Sequence, residues 1–292
     1  MTSSKIVLRL AGGLGNQLFQ FAAAVRLAQL NDLPFQNILI DTRFLENYEA
    51  KHKYEIGFFT DLFPGVQVAP RMPIMASMAS RFRLARIFDR KLISFELISS
   101  VSHLNSACAN RNRVFNLILD GYFQHPDILF FEDDRNRIRK TLLSAKRSLI
   151  DKVKNGLSTT GVHIRRGDYV SSKSAAKVFR NVPMGYYDAA LNQTRREQKL
   201  LIFSDDRDLS ASYAAKTGGI DIRKLNLTLQ DEFYLLMACD NHIIANSTFS
   251  WWAAYLGHKP GGRVIAPENW FHNRKRSQTN PLLLTHFELI DA

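Results

Sequence analysis

Three segments carry side chains suited to holding a charged ligand. The sharpest is His163-Ile164-Arg165-Arg166-Gly167-Asp168-Tyr169. An arginine clamps phosphate oxygens with two parallel N–H donors, and Asp168 is placed to hold one guanidinium. In a strand, side chains alternate, so His163 and Arg165 share one face and Arg166 opposes them until the chain turns. The plain alternative is a surface Arg–Asp pair worth about 0–1 kcal/mol. Ser204-Asp205-Asp206 offers two adjacent acids to a metal, to ribose hydroxyls, to a base edge or to a helix start. Capping accounts for one acid and leaves Asp206 spare. With no Asp-x-Asp pattern and no third carboxylate close by, a Mg²⁺ site is the less favoured use. In Asn246-Ser247-Thr248-Phe249-Ser250-Trp251-Trp252, the hydroxyls of Ser247, Thr248 and Ser250 join the free N–H groups of a helix start to make an anion cradle. The alternative is an ordinary N-cap with both tryptophans in the core.

Two further segments lie in the first half of the chain. Gly12-Gly13-Leu14-Gly15-Asn16-Gln17 sits between a strand and a helix, where glycine lets backbone approach a ligand and the helix start favours an anion. It is not the dinucleotide fingerprint, because Leu18 stands where the third glycine is needed, and it is not a Walker loop. A tight turn packing the helix onto the sheet is the alternative. Asp120-Gly121-Tyr122-Phe123-Gln124 has the composition to meet a sugar, with an aromatic platform and hydrogen-bonding side chains. It reads equally as a strand followed by a turn. His125, His242, His258 and His272 lack ligand spacing and read as structural or surface residues, so zinc has no support.

The elements that must position these groups read as α/β. Lys5–Leu10 is a strand, 16–29 a buried helix capped by Asn16, and 37–40 the next strand. A strand over 116–123 and a long charged helix over 131–153 follow. After Gly156, strands over 159–164, 199–203, 220–222, 242–245 and 263–266 alternate with helices over 184–196, 208–216, 229–239 and 249–256. That alternation predicts a doubly wound parallel sheet, with ligand groups at the strands' C-terminal ends. The boundary is expected near Lys154–Ser158. This gives domains 1–157 and 158–292, two similar-sized Rossmann-like halves facing a cleft.

Composition bounds the partners. At 46% hydrophobic and 11% aromatic the chain is not disordered, and 15 glycines without a period exclude a collagen-like fibre. Two cysteines, Cys108 and Cys239, cannot form a disulfide scaffold and suit a reducing compartment. The net charge of +12 suits anionic partners. No helix-turn-helix, zinc-finger or RNA-binding signature supports nucleic acid. No run of about 18 apolar residues predicts a transmembrane helix. The basic, Met-rich segment Arg71–Ile93 reads either as a membrane-surface helix or as the solvated face of an ordinary one.

With these residues in view, the chain resembles the bacterial alpha-1,2-fucosyltransferases. The resemblance rests on Gly12 to Gln20, His163 to Tyr169, Phe203 to Asp206 and Asn246 to Trp252, in matching order between Leu10 and Trp270. The His-x-Arg-Arg-x-Asp element is shared with alpha-1,6- and protein O-fucosyltransferases. Its combination with the glycine stretch and Ser-Thr-Phe-Ser-Trp-Trp is closer to the alpha-1,2 enzymes. The resemblance implies a GT-B fold with the acceptor mostly on the first domain and GDP-L-fucose mostly on the second. It also implies inverting, metal-independent transfer of fucose to the 2-hydroxyl of a galactoside, in an O-antigen or a host-like glycan. Another linkage or another nucleotide sugar stays open. Animal members carry a membrane anchor, so the expected likeness is to a cytoplasmic bacterial form, with contact at the inner membrane through Arg71–Ile93 left open.

The residue roles implied are specific. Arg165 neutralises the leaving phosphate, with His163 and Asp168 positioning it or the nucleotide. Gly13, Asn16, Arg166, Ser204, Asn246, Ser247, Thr248 and Ser250 join it in holding the donor, and Asp205 or Asp206 meets guanine or ribose. Asp120, Tyr122 and Gln124 line the acceptor side. Inversion calls for a proton acceptor. The alpha-1,6 enzymes have a glutamate after the arginine motif, whereas Val170-Ser171-Ser172-Lys173-Ser174 has no acid. Asp120, Asp168, His163 or a phosphate oxygen are the alternatives.

Overall fold

The computed structural model describes residues 4–43, 45, 52–69, 95–102, 104, 116–166, 173–194 and 198–292. Arg71–Ile93 and Asp168 lie outside them. The chain divides into two compact units, Met1–Asp134 and Arg135–Ala292.

In the first unit, β1 (Lys5–Arg9) leads through the glycine turn into α1 (Leu14–Leu30), followed by β2 (Ile38–Asp41), α2 (Gly57–Thr60), β3 (Gln67–Ala69), β4 (Phe95–Ile98) and β5 (Asn116–Leu119). All pairings are parallel, in the order β3-β2-β1-β5-β4. Buried strands of this kind need apolar residues on both faces: Ile6, Leu8, Ile38, Ile40, Leu117 and Leu119 line one face, and Val7 and Ile118 with Leu39 the other. α1 is buried along most of its length, and Phe21 meets Phe63 edge-on at 5.3 Å between ring centroids. Its N-cap is Gly13 rather than Asn16: the Gly13 carbonyl already accepts from the Asn16 and Gln17 N–H groups, so Asn16 sits inside the first turn. Gly12 adopts φ +75°, a left-handed turn that a side chain would strain.

The division between units falls in the first turn of α3 (Glu132–Ala145), not at Leu157, and α4 (Arg147–Lys154) follows a break at Lys146. One long helix was expected here. These two helices belong to the second unit because their cations are tied into it. Arg135 donates to the Tyr255 and His258 carbonyls, Lys146 pairs with Asp231 at 2.8 Å, and Lys154 pairs with Asp240 at 2.8 Å.

The second unit continues with β6 (Thr159–Ile164), α5 (Lys173–Val178), α6 (Met184–Asn192), β7 (Lys199–Ser204), α7 (Arg207–Thr217), β8 (Ile220–Asp221), α8 (Leu229–Met237), β9 (Asn241–Ile243), α9 (Thr248–Gly257), β10 (Val264–Pro267), α10 (Arg274–Gln278) and β11 (Glu288–Ile290). The sheet is parallel throughout, ordered β11-β10-β9-β6-β7-β8. Counted within the unit this is the 3-2-1-4-5-6 order of a Rossmann sheet. Two Rossmann-like units in one chain are what the expected α/β, GT-B class requires. β11 is the one strand here that the sequence reading did not include. It is short, lies at the sheet edge and is only partly buried, so its pattern carries little signal.

β6 is buried at all six positions. Val162, Ile202, Ile243 and Ile265 from four neighbouring strands pack with Tyr186 and Tyr187 of α6. α9 is buried from Ser250 to Gly257, and Trp251 and Trp252 are fully enclosed. Each tryptophan removes on the order of 200 Å² from water, about 5 kcal/mol at the usual coefficient. A Cβ at Gly257 would lie 2.2 Å from the Met237 carbonyl oxygen, so only glycine lets α9 close on α8. Among the described residues no helix is long and apolar enough to cross a membrane.

Candidate functional site

In the second sheet the winding reverses once, between β6 and β9; in the first, β1 leads away to β2 and β3 while β5 and β4 lie on its other side, so β1 and β5 meet at the corresponding junction. Ligands of open parallel sheets bind beyond the C-terminal ends of the strands at such a reversal, because the connecting segments there diverge to opposite faces. Apart from Asp168, outside the described residues, the sequence-predicted groups fall at or beside these two places.

In the second unit, β6 delivers His163 and Arg165, and β7 delivers Ser204, Asp205 and Asp206. Asp205 makes the decisive contacts. Its Oδ2 lies 3.0 Å from Arg165 Nη1, and its Oδ1 accepts from the Arg166 backbone N–H at 2.9 Å. One carboxylate thus fixes both the guanidinium and the main chain that carries it. Asp206 accepts from Leu209 N–H at 3.0 Å and caps α7. The expected division of labour is therefore reversed: Asp206 is the cap, and Asp205 is the acid left for the site. Ser204 Oγ accepts from Asp206 N–H at 3.1 Å, which shapes the turn.

His163 is buried under Phe249, with ring centroids 5.5 Å apart. Burial, assisted by the Arg165 charge, pushes its pKa down to about 3. It is a neutral ring at working pH and a poor proton acceptor. Its Nδ1 has no hydrogen-bond partner among the described residues. Phe249 in turn meets Phe233 edge-on at 5.5 Å, so α8 and α9 are registered against the end of β6 through aromatic rings.

α9 starts immediately beyond β9, beside β6 in the sheet. Ser247 is its N-cap, yet its side chain accepts from none of the helix's N–H groups. The first-turn N–H groups and the macrodipole consequently favour an anion at this point. Ser250 does not join the cradle: it is fully buried and its Oγ donates to the Ser247 carbonyl at 3.2 Å. Asn246 is also turned to a structural task. Its Nδ2 donates to the Arg180 and Trp270 carbonyls at 2.7 and 2.9 Å, tying two loops to the end of β9. Thr248, the first residue of α9, is partly exposed.

In the first unit the site is a net of neutral amides around the glycine turn. Gln17 Nε2 donates to the Gly12 and Lys53 carbonyls, each at 2.8 Å, while its Oε1 accepts from Glu55 N–H at 3.0 Å. Gln20 accepts from Ala11 N–H at 3.0 Å and donates to the Gly121 carbonyl at 3.1 Å, joining the ends of β1 and β5. Gln124 Nε2 donates to Asn16 Oδ1 at 2.9 Å, which fixes the Asn16 amide. Arg9 Nη1 and Asp120 Oδ2 pair at 2.7 Å. Tyr122 is 51% exposed, whereas the next residue, Phe123, is buried at φ +48°. A bulky residue in that region is strained and is held by its surroundings. Asp120, Tyr122, Gln124, Gly13 and Asn16 thus come together at one junction.

Sequence reasoning gave no role to Gln17 and Gln20 within the glycine motif, and missed Arg9, His52 and Glu55. The glutamines had a signal: two amides three residues apart on a buried, otherwise apolar helix must find partners. Glu55, in Lys53-Tyr54-Glu55-Ile56, had none. Among the described residues no group of three or more His, Cys, Asp or Glu converges to hold a metal. His242, read as structural, is buried with Nε2 2.9 Å from the Leu236 carbonyl oxygen.

Comparison with known proteins adds the lineage. The glycosyl transferase family 11 model matches residues 98–283. The O-antigen biosynthesis glycosyltransferase WbnK of Escherichia coli is 28% identical over 293 residues, covering 92% of this chain and 96% of that protein. The Alpha-1,2-colitosyltransferase of Escherichia coli is 26% identical, covering 95% of this chain and 96% of that protein. The mouse Galactoside 2-alpha-L-fucosyltransferase Sec1 is 34% identical over 118 residues, 38% of this chain and 31% of that protein. The chain belongs to glycosyl transferase family 11, the alpha-1,2-fucosyltransferase family.

Proposed function

We propose that this glycosyltransferase moves L-fucose from GDP-L-fucose to the 2-hydroxyl of a galactoside, with inversion and without a metal, in O-antigen synthesis. The observation that carries the reading is the Arg165 guanidinium, fixed by Asp205 at the sheet reversal beside the start of α9. As the bond from C1 to the diphosphate breaks, negative charge grows on the leaving oxygens. A donor already aimed there stabilises the transition state more than the ground state. Ser247 and the first N–H groups of α9 hold the pyrophosphate, and Arg166 adds positive charge. In this reading His163 supports the end of β6 as a neutral ring.

The acceptor side falls to the first unit. Asp120, Tyr122 and Gln124 supply a hydrogen-bond acceptor for sugar hydroxyls, an exposed ring and an ordered amide. Fucose and the 2-linkage draw support from the family and from the names of the mouse and colitosyl relatives, and O-antigen synthesis from that of WbnK. The relative that transfers colitose favours a second donor, GDP-colitose.

The test is incubation with GDP-fucose, GDP-colitose and a panel of β-galactosides in the presence of EDTA, with product linkage read by NMR. A 2-linked fucosyl product is expected at full rate with EDTA. Transfer of colitose alone replaces the donor. A product linked elsewhere, or loss of rate on chelation that Mg²⁺ restores, overturns the linkage or the metal independence.

A further inference from the structure

We propose that Glu55 is the catalytic proton acceptor for the incoming hydroxyl. This rests on the reading that the chain transfers a glycosyl group to a sugar hydroxyl. The geometry begins with Gln17, which is fully buried and uses both ends of one amide. Its bonds to the Gly12 and Lys53 carbonyls and to the Glu55 N–H fasten the 53–55 segment onto the glycine turn. The Glu55 carboxyl is thereby laid over the first turn of α1, where it accepts from the Leu14 backbone N–H. Its Oε2 is buried and has no hydrogen-bond partner among the described residues. A Cβ on Gly13 would stand 3.9 Å from that oxygen and 3.5 Å from His52 Cε1. Gly13 has no side chain, so a carboxylate with an unused lone pair and an imidazole overlie bare backbone.

The surroundings suit a base. Burial pushes the Glu55 pKa up, while the Leu14 N–H and His52 pull against it. Among the described residues the groups facing it are His52 from its own segment, the uncharged Gln17, and the N–H dipoles of α1. Tyr54 is spent on Thr60, with its hydroxyl 2.9 Å away. Of the rivals, His163 is pushed down to about 3 and Asp120 is engaged by Arg9 at 2.7 Å, while Asp168 lies outside the described residues. In the step, the acceptor oxygen bonds to C1 of the sugar. The bond from C1 to the diphosphate oxygen breaks and its electron pair leaves on the diphosphate. The hydroxyl proton passes to Glu55, which returns it to water.

The experiment uses the full chain with GDP-fucose and a galactoside. Glu55→Gln is expected to lower kcat by about 10²–10⁴-fold, the usual range for a general base, with donor affinity unchanged within about twofold. The acidic limb of the wild-type kcat profile disappears in this variant, and added formate restores part of the rate. Glu55→Asp keeps an intermediate rate with a displaced acidic limb. A folded Glu55→Gln that turns over within about threefold of wild type overturns the proposal, as does a loss confined to donor affinity. Should Glu55→Gln fail to fold, Glu55→Asp decides: a displaced limb supports the assignment and an unmoved one ends it. A wild type that transfers no sugar sinks the underlying reading and this proposal with it; a working wild type matched by Glu55→Gln sinks this proposal alone.

Discussion

The two sheet junctions are built from opposite materials. The second unit presents a guanidinium, a second arginine and the start of a ten-residue helix, all suited to negative charge. The first unit presents glutamines, an asparagine and backbone, with the Arg9 cation already matched by Asp120. The difference follows from what each side must handle. A diphosphate gains charge during transfer and needs fixed positive potential. A sugar hydroxyl gains little and needs orientation, which neutral amides with both ends occupied provide.

Removing the charge itself gives the largest expected break in this contrast. Arg165→Ala is expected to lower kcat/KM by about 10³-fold with an unchanged melting temperature, because one preorganised donor to a growing oxyanion is worth about 10²–10³. Arg165→Lys recovers part of it. Near-normal turnover in Arg165→Ala would remove the electrostatic half of the comparison. A smaller effect is expected from Asp205→Asn, which keeps the shape and weakens the hold on Arg165. A loss of about 10–100-fold in kcat, with GDP affinity by calorimetry little changed, is the expected result. Equal losses in both would make Asp205 a nucleotide ligand instead.

On the neutral side the expected cost is stability. Gln17→Leu strands the Gly12 and Lys53 carbonyls and the Glu55 N–H, at about 1–3 kcal/mol for each buried group left unpaired. A denaturant midpoint that does not move would show that the net is dispensable. In the same variant the acidic limb of kcat should shift, since the Glu55 segment loses its anchor.

The smallest effect separates the units by pH. Burial pushes His163 down to about 3 and His242 down to about 4, from an ordinary 6.5. As pH falls below 6.5 the unfolded histidines take up protons and the folded ones do not. Stability of the second unit therefore declines from about pH 6.5 towards 4. Among the described residues the first unit has no buried histidine. Hydrogen exchange at pH 7 and pH 5 should show protection falling more in the second unit, and His242→Gln should reduce the difference. Equal loss in both units would contradict this.

What could be read from the sequence divides along similar lines. β6, β7 and α9 announce themselves because apolar runs end in charged or hydroxyl clusters, and the arginine motif stands at such an end. Which acid of Asp205-Asp206 caps and which clamps was not legible, since both satisfy the same local pattern and only the path from β7 into α7 decides. Ser250 and Asn246 were read outward because hydroxyl and amide types suit ligands; the helix phase and two nearby loops turned them inward. Glu55 reaches the glycine turn across 42 residues of chain from Gly13, a contact that no local pattern encodes.

The grip of Asp205 on Arg165 has one more consequence. A free arginine side chain carries about 2 kcal/mol of rotamer entropy, which a nucleotide meeting a wandering guanidinium would have to overcome at each encounter. Here that disorder is removed once, when the chain folds, and every later turnover starts from a side chain already at rest.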